Sequence, residues 1–103
     1  MPHGLTKETI DKIKGVFSRF GEVEEAILYG SRAKGNYKPG SDIDLTLQGK
    51  ELELRTINKI SILLDDLLLP YSIDISIFYQ ISNPDVIEHI ERVGLVFYKK
   101  KEE

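Results

Sequence analysis

The sequence has no cysteine and no tryptophan, a single methionine, two histidines and four prolines. Without thiols there is no disulfide framework, no thiolate zinc site and no cysteine nucleophile. The same absence suits a reducing compartment, and a cytoplasmic location is expected. His3 and His89 have no second ligand at metal-binding spacing, so zinc is not expected and both read as surface residues. No apolar run approaches the roughly 18 residues of a membrane span. The opening MPHGLTKETI lacks the basic and apolar regions of a secretory signal, so no membrane contact is expected. Excess charge is also scarce: 14 basic and 17 acidic residues leave a net charge of -3. A polyanion groove needs a basic stripe that this chain lacks, so nucleic acid is not an expected partner. Lys99 to Lys101 read as part of a solvated tail.

What is present is the composition of a globular protein, 41% hydrophobic and 30% charged. By surface scaling, a chain of this length buries about two-thirds of its surface on folding. That is enough for one core and leaves no room for a second, so a single domain over residues 1–103 is expected. Any large partner must then come from outside.

Thr6 is placed to cap a first helix in which Ile10, Ile13, Val16, Phe17 and Phe20 share a face and Gly21 is the stop. Residues 24–30, EEAILYG, read as a short strand ending at glycine, and residues 31–41 as a loop punctuated by Gly35, Asn36, Pro39 and Gly40. From Asp42 to Leu47 the pattern alternates, with Ile43, Leu45 and Leu47 on one face and Asp42, Asp44 and Thr46 on the other. Residues 51–69 read as a long helix whose apolar face holds Leu52, Ile57, Ile60, Leu63, Leu64, Leu67 and Leu68, with Pro70 as its end. Leu54 and Ile62 fall off that face, which points to a homo- or hetero-oligomer. Residues 71–78 alternate again, with Ile73, Ile75 and Ile77 opposite Ser72, Asp74 and Ser76. Asn83 and Pro84 open a last helix that buries Val86, Ile87 and Ile90 and stops at Gly94, ahead of a final strand from Leu95 to Tyr98. The expected fold is α/β, a mixed sheet with helices packed on one face. The helical crossover makes the two strands flanking it parallel. Tyr29, Tyr37, Tyr71, Tyr79 and Tyr98 read as half-buried packing.

Parallel strands place Asp42, Asp44 and Asp74 on one polar face. Aspartate is depleted in strands and like charges repel, so three carboxylates together are costly unless a cation sits among them. Mg²⁺ suits hard oxygen ligands and completes its shell with water and substrate phosphates. A two-metal clamp on a phosphoryl displacement would use all three residues, whereas a lone Asp-x-Asp is equally a solvated strand edge. Gly30 and Ser31 stand where the first strand ends. Glycine there admits backbone N–H groups close to an anion, and Ser31 is placed to cap a short helix with its hydroxyl toward phosphate. The plain alternative is a bend at Gly30 and a capped turn at Ser31.

Taken together, GSRAKGNYKPGSDIDL resembles the G-S-x10-D-x-D signature of the DNA polymerase beta nucleotidyltransferase superfamily. At roughly 5 to 7% usage per residue type, four such fixed positions recur by chance in about one 100-residue chain in a thousand. Motif, element order and length are similar to the minimal nucleotidyltransferase (MNT) group, and Arg32, Gly35 and Ser41 also suit the pattern. The resemblance implies transfer of NMP, AMP from ATP in the first instance, to a hydroxyl with release of pyrophosphate. It implies that Asp42 and Asp44 hold Mg²⁺, with two ions in all, and that Asp74 binds the second and helps deprotonate the acceptor. Gly30 and Ser31 would grip the β/γ end of the triphosphate, with Arg32 and Lys34 as nearby cations. It further implies a HEPN-type (higher eukaryote and prokaryote nucleotide-binding) protein partner, with this chain as the antitoxin of a toxin–antitoxin pair. Two alternatives remain: transfer to a small molecule held by a partner subunit, and a nucleotide-binding regulatory subunit without turnover.

Overall fold

The computed structural model describes residues 4–101, so His3 lies outside the described residues. The elements are α1 (Lys7–Phe17), β1 (Glu25–Tyr29), α2 (Ser31–Lys34), β2 (Ile43–Gln48), α3 (Leu54–Asp65), β3 (Ile73–Ile77), a 3-10 turn (Phe78–Gln80), α4 (Pro84–Val93) and β4 (Leu95–Lys99). At the start of α1, the Thr6 side chain accepts the Thr9 N–H at 3.2 Å, as its capping position predicts. The helix ends at Ser18 rather than Gly21, with the Ser18 hydroxyl donating to the Gly15 carbonyl at 2.8 Å. Phe20 still packs against the core, from the turn that follows.

The four strands form a mixed sheet in the order β3-β2-β1-β4. β1 runs antiparallel to β2 and β4, while β2 and β3 are parallel, as the α3 crossover requires. Alternation sends Ala26 and Leu28 of β1, and Ile43, Leu45 and Leu47 of β2, into one buried cluster with Ile13 and Phe17 of α1 and Ile57, Ile60 and Leu64 of α3. α1 and α3 therefore cover the apolar face, as expected. α4 is placed differently, against β1 residues of the other face: a side chain on Gly94, at its end, would strike Ile27, which alternates with the buried Ala26 and Leu28. Asn83 and Pro84 do start α4, but of its apolar residues Ile90 is fully buried while Val86 and Ile87 are only half covered.

The expected helix over 51–69 shrinks to α3. Asp65 and Asp66 put two carboxylates at the negative end of the helix dipole, which disfavours continuation. Leu68 then adopts a left-handed φ of 54° and stands 88% exposed, so it is not part of the apolar face. Leu67 and Leu69 on either side of it pack against the core, an arrangement a continuous helix would not give them. Leu54 and Ile62 are exposed, at 68% and 60%, as their position off the stripe predicts. At the other end of the sheet, Lys99 lies in β4 and the Lys100 ammonium donates to the Gly21 carbonyl at 3.1 Å, so the expected tail begins later. Among the described residues, no helix is long and apolar enough to cross a membrane.

Candidate functional site

β1 ends where β2 and β3 begin, which brings the sequence-predicted aspartates to one end of the sheet. Tyr29 pairs with Asp44 across the antiparallel ladder, and Asp44 pairs with Asp74 across the parallel one. Adjacent strands are about 4.8 Å apart, so the Asp44 and Asp74 carboxylates rise side by side from the polar face. Asp42 lies just ahead of β2, two residues before Asp44 and exposed. One step further along the same face, the Ser76 hydroxyl donates to Thr46 Oγ1 at 3.0 Å, which satisfies the buried Thr46.

The row is electrostatically crowded. The Asp44 carboxyl is held above its ordinary value, first by burial and then by the negative charges of Asp74 and Asp42. Burial also raises the Tyr29 phenol; a hydrogen bond with Ser76 works against that rise, and Asp44 and Asp74 add to it. A cation among these carboxylates would relieve the repulsion.

Gly30 takes φ 78° and ψ −158°, a region open essentially to glycine alone. A Cβ there would collide with Asp44 Oδ2. The glycine thus lets the chain turn directly over the carboxylate. α2 follows at once, inside the stretch expected to be loop. Gly30, not Ser31, is its N-cap; Ser31 is the first helical residue and half-buried.

Arg32 departs from the expectation of a cation beside phosphate. Its side chain is turned into the fold and the residue is 2% exposed. Its Nε and Nη2 donate to the Ser41 carbonyl at 3.1 and 3.0 Å, and the guanidinium lies 5.2 and 4.8 Å from the ring centres of Tyr37 and Tyr71. It thereby braces the segment that delivers Asp42. Lys34 is exposed at the end of α2. Of the remaining tyrosines, Tyr98 is half-buried against Phe17, but Tyr79 is 57% exposed and does not fit the packing expected of it.

Sequence reasoning missed His89. Its Nε2 accepts the Gly30 N–H at 3.0 Å and its ring meets Tyr29 edge-on, so it is not a free surface residue. The two residues are 59 positions apart, and no local pattern could have joined them.

Among the described residues, no group of three acidic or histidine side chains forms a ready-made metal cage. The donor set nevertheless suits Mg²⁺, which is held by one or two carboxylates together with substrate phosphates rather than by an all-protein cage. Asp44 and Asp74 supply such a pair, with Asp42 beside them.

A family model described as "Polymerase beta, Nucleotidyltransferase" matches residues 11–103. The chain belongs to this nucleotidyltransferase family. No curated protein matches the chain in sequence. Among solved structures, a chain of a toxin–antitoxin complex with AMP-PNP is similar at TM-score 0.68 and 16% identity, over 94% of this chain and 76% of that one. A chain from the complex of tri-AMPylated Shewanella oneidensis HEPN toxin with MNT antitoxin is similar at TM-score 0.67 and 13% identity, over 93% and 74% of the two chains. A putative nucleotidyltransferase from Sulfolobus solfataricus is similar at TM-score 0.53 and 20% identity, over 94% and 92%. At these identities the likeness is one of fold.

Proposed function

We propose that this nucleotidyltransferase moves AMP from ATP to a hydroxyl group of a HEPN-type partner protein, as the antitoxin of a toxin–antitoxin pair. The observation that carries the reading is the opposition of Asp44 and Asp74 beneath the Gly30 turn, within a chain of this family. The partner class is suggested by the complexes that share the fold, one with AMP-PNP and one with an AMPylated HEPN toxin.

In this reading Gly30 and Ser31 hold the β/γ end of the triphosphate, and Arg32 keeps Asp42 in place through Ser41. Asp42 and Asp44 would hold a nucleotide-bound Mg²⁺, and Asp74 would hold a second ion and accept the proton of the attacking hydroxyl. Two Mg²⁺ ions bound there would offset the triphosphate's charge and polarise the α-phosphoryl group. The acceptor oxygen forms its bond to the α-phosphorus, the bond from that phosphorus to the bridging oxygen breaks, and pyrophosphate leaves. The protein acts in the cytoplasm as part of a hetero-oligomer, with the single domain of residues 1–103 relying on its partner to present the acceptor.

The test is mass spectrometry of the protein encoded by the neighbouring gene after incubation with this chain, ATP and Mg²⁺. A mass increase of one or more AMP groups on a hydroxyl side chain is expected. An unmodified partner at saturating nucleotide would refute the assignment of acceptor.

A further inference from the structure

The Gly30 peptide is held from two sides. Its carbonyl accepts the Lys34 N–H at 3.1 Å, within the turn of α2, and its own N–H donates to His89 Nε2 at 3.0 Å, from α4. Glycine visits this backbone region and its mirror image about equally readily, so the conformation does not hold itself and its surroundings must fix it. Asp44 blocks one direction, and His89 supplies the directional contact.

His89 is itself well placed to do this. Asn83 caps α4 by accepting the Asp85 N–H at 2.9 Å, and Gly94 closes the helix against Ile27 of β1. The imidazole then stands edge-on to Tyr29, at 6.3 Å between ring centres and 77° between ring planes. A nitrogen that accepts has no proton of its own, so the neutral ring carries its proton on Nδ1. What the position requires is therefore an acceptor at the Nε2 site, and ring shape alone does not meet that need. The Gly30 N–H is already engaged, so the part Gly30 takes in holding the triphosphate is to set the path of the chain over Asp44. Its bond to His89 fixes the Tyr29–Gly30 peptide plane, from which the chain turns at Gly30 into Ser31.

We propose that His89 is a positioning residue for nucleotide binding: it anchors the Gly30 peptide and so couples α4 to the turn that holds the triphosphate. This rests on the nucleotidyltransferase reading of the site, and it assigns to α4 a part in substrate affinity that the motif residues alone do not contain.

The test uses the full chain with its partner protein, as parent, His89→Phe and His89→Gln. Phenylalanine keeps a ring and removes the acceptor, whereas the glutamine amide oxygen can accept the same N–H. In ¹⁵N-glycine-labelled protein without nucleotide, the Gly30 amide is expected to exchange with solvent about tenfold faster in His89→Phe, as befits one lost hydrogen bond, and to recover in His89→Gln. The KM for Mg-ATP is expected to rise by about the same factor in His89→Phe with kcat little changed, because ground-state and transition-state binding are lost together. Glutamine should restore it. Equal amide exchange in all three proteins, or a glutamine variant that behaves like the phenylalanine one, overturns the anchor. A KM that does not move while amide exchange does overturns the coupling to nucleotide. If the parent fails to bind Mg-ATP, the functional reading falls and the coupling falls with it, while the amide measurement still decides the anchor.

Discussion

Gly30 has no room for a side chain because the Asp44 carboxylate occupies the space its Cβ would fill. One position thus serves the fold and the site at once. Gly30→Ala should destabilise the protein by about 1–3 kcal/mol from backbone strain, lowering the melting temperature by at least several degrees, roughly 4–8 °C per kcal/mol for a domain of this size. The displaced Asp44 should also cost most of the Mg-ATP affinity. Calorimetric titration below the variant's melting temperature checks this, and full affinity in the folded variant would make Gly30 a bend and nothing more.

Asp44 and Asp74 stand opposite each other but carry different proposed duties. Asp44→Asn, like Asp42→Asn, should weaken Mg²⁺-dependent ATP binding and stop transfer. Asp74→Asn should keep most of the ATP affinity and lose transfer by about two to four orders of magnitude, since a carboxamide takes no proton and holds Mg²⁺ poorly. Binding and transfer rates measured separately for each variant distinguish the two duties.

The crowding at Asp44 sets a pH dependence. Its carboxyl is raised in the fold by burial and by Asp74 and Asp42, so the native state holds that proton more tightly than the unfolded chain does. Its contribution is favourable below the ordinary carboxylate value of about 3.9 and is lost as pH rises through the elevated folded value. In chelator, Asp44→Asn should therefore gain stability relative to the parent as pH rises across this window, and Mg²⁺ should reduce the difference by stabilising the parent. Melting curves of both proteins at matched pH, with and without Mg²⁺, test the sign.

Arg32 is predicted to be irreplaceable by lysine. An ammonium cannot reproduce two donors on the Ser41 carbonyl or lie between two tyrosine rings. Arg32→Lys should cost on the order of 1–3 kcal/mol, the range for leaving buried polar groups unsatisfied. Urea denaturation measures the loss. A stability equal to the parent's would mean that the segment ahead of Asp42 is braced by something else.

The site's acidic residues were legible in the sequence because period-2 alternation and a helical crossover are enough to put Asp44 and Asp74 on one face. The starts of α1 and α4 were also legible from Thr6 and Asn83, whose side chains satisfy N–H groups within three residues. What the sequence concealed depends on distant packing. The end of α3 was obscured because three consecutive leucines extend the apolar pattern past Asp65 and Asp66, and only the core decides which of them turns outward. Arg32 looked like a surface cation because its charge is visible in the sequence and its cage is not: Tyr37 and Tyr71 come from separate segments. His89 stayed hidden for the same reason, since α4 crosses to the face opposite α1 and α3.

The most direct measurement of the central claim follows the label from ATP marked at the α- or the γ-phosphate, in the presence of Mg²⁺ and the HEPN-type partner. The three-aspartate site predicts that α-label appears on the partner, that γ-label leaves as pyrophosphate, and that both events disappear in Asp44→Asn and Asp74→Asn. Appearance of γ-label on the partner, or parental transfer by either variant, would contradict it.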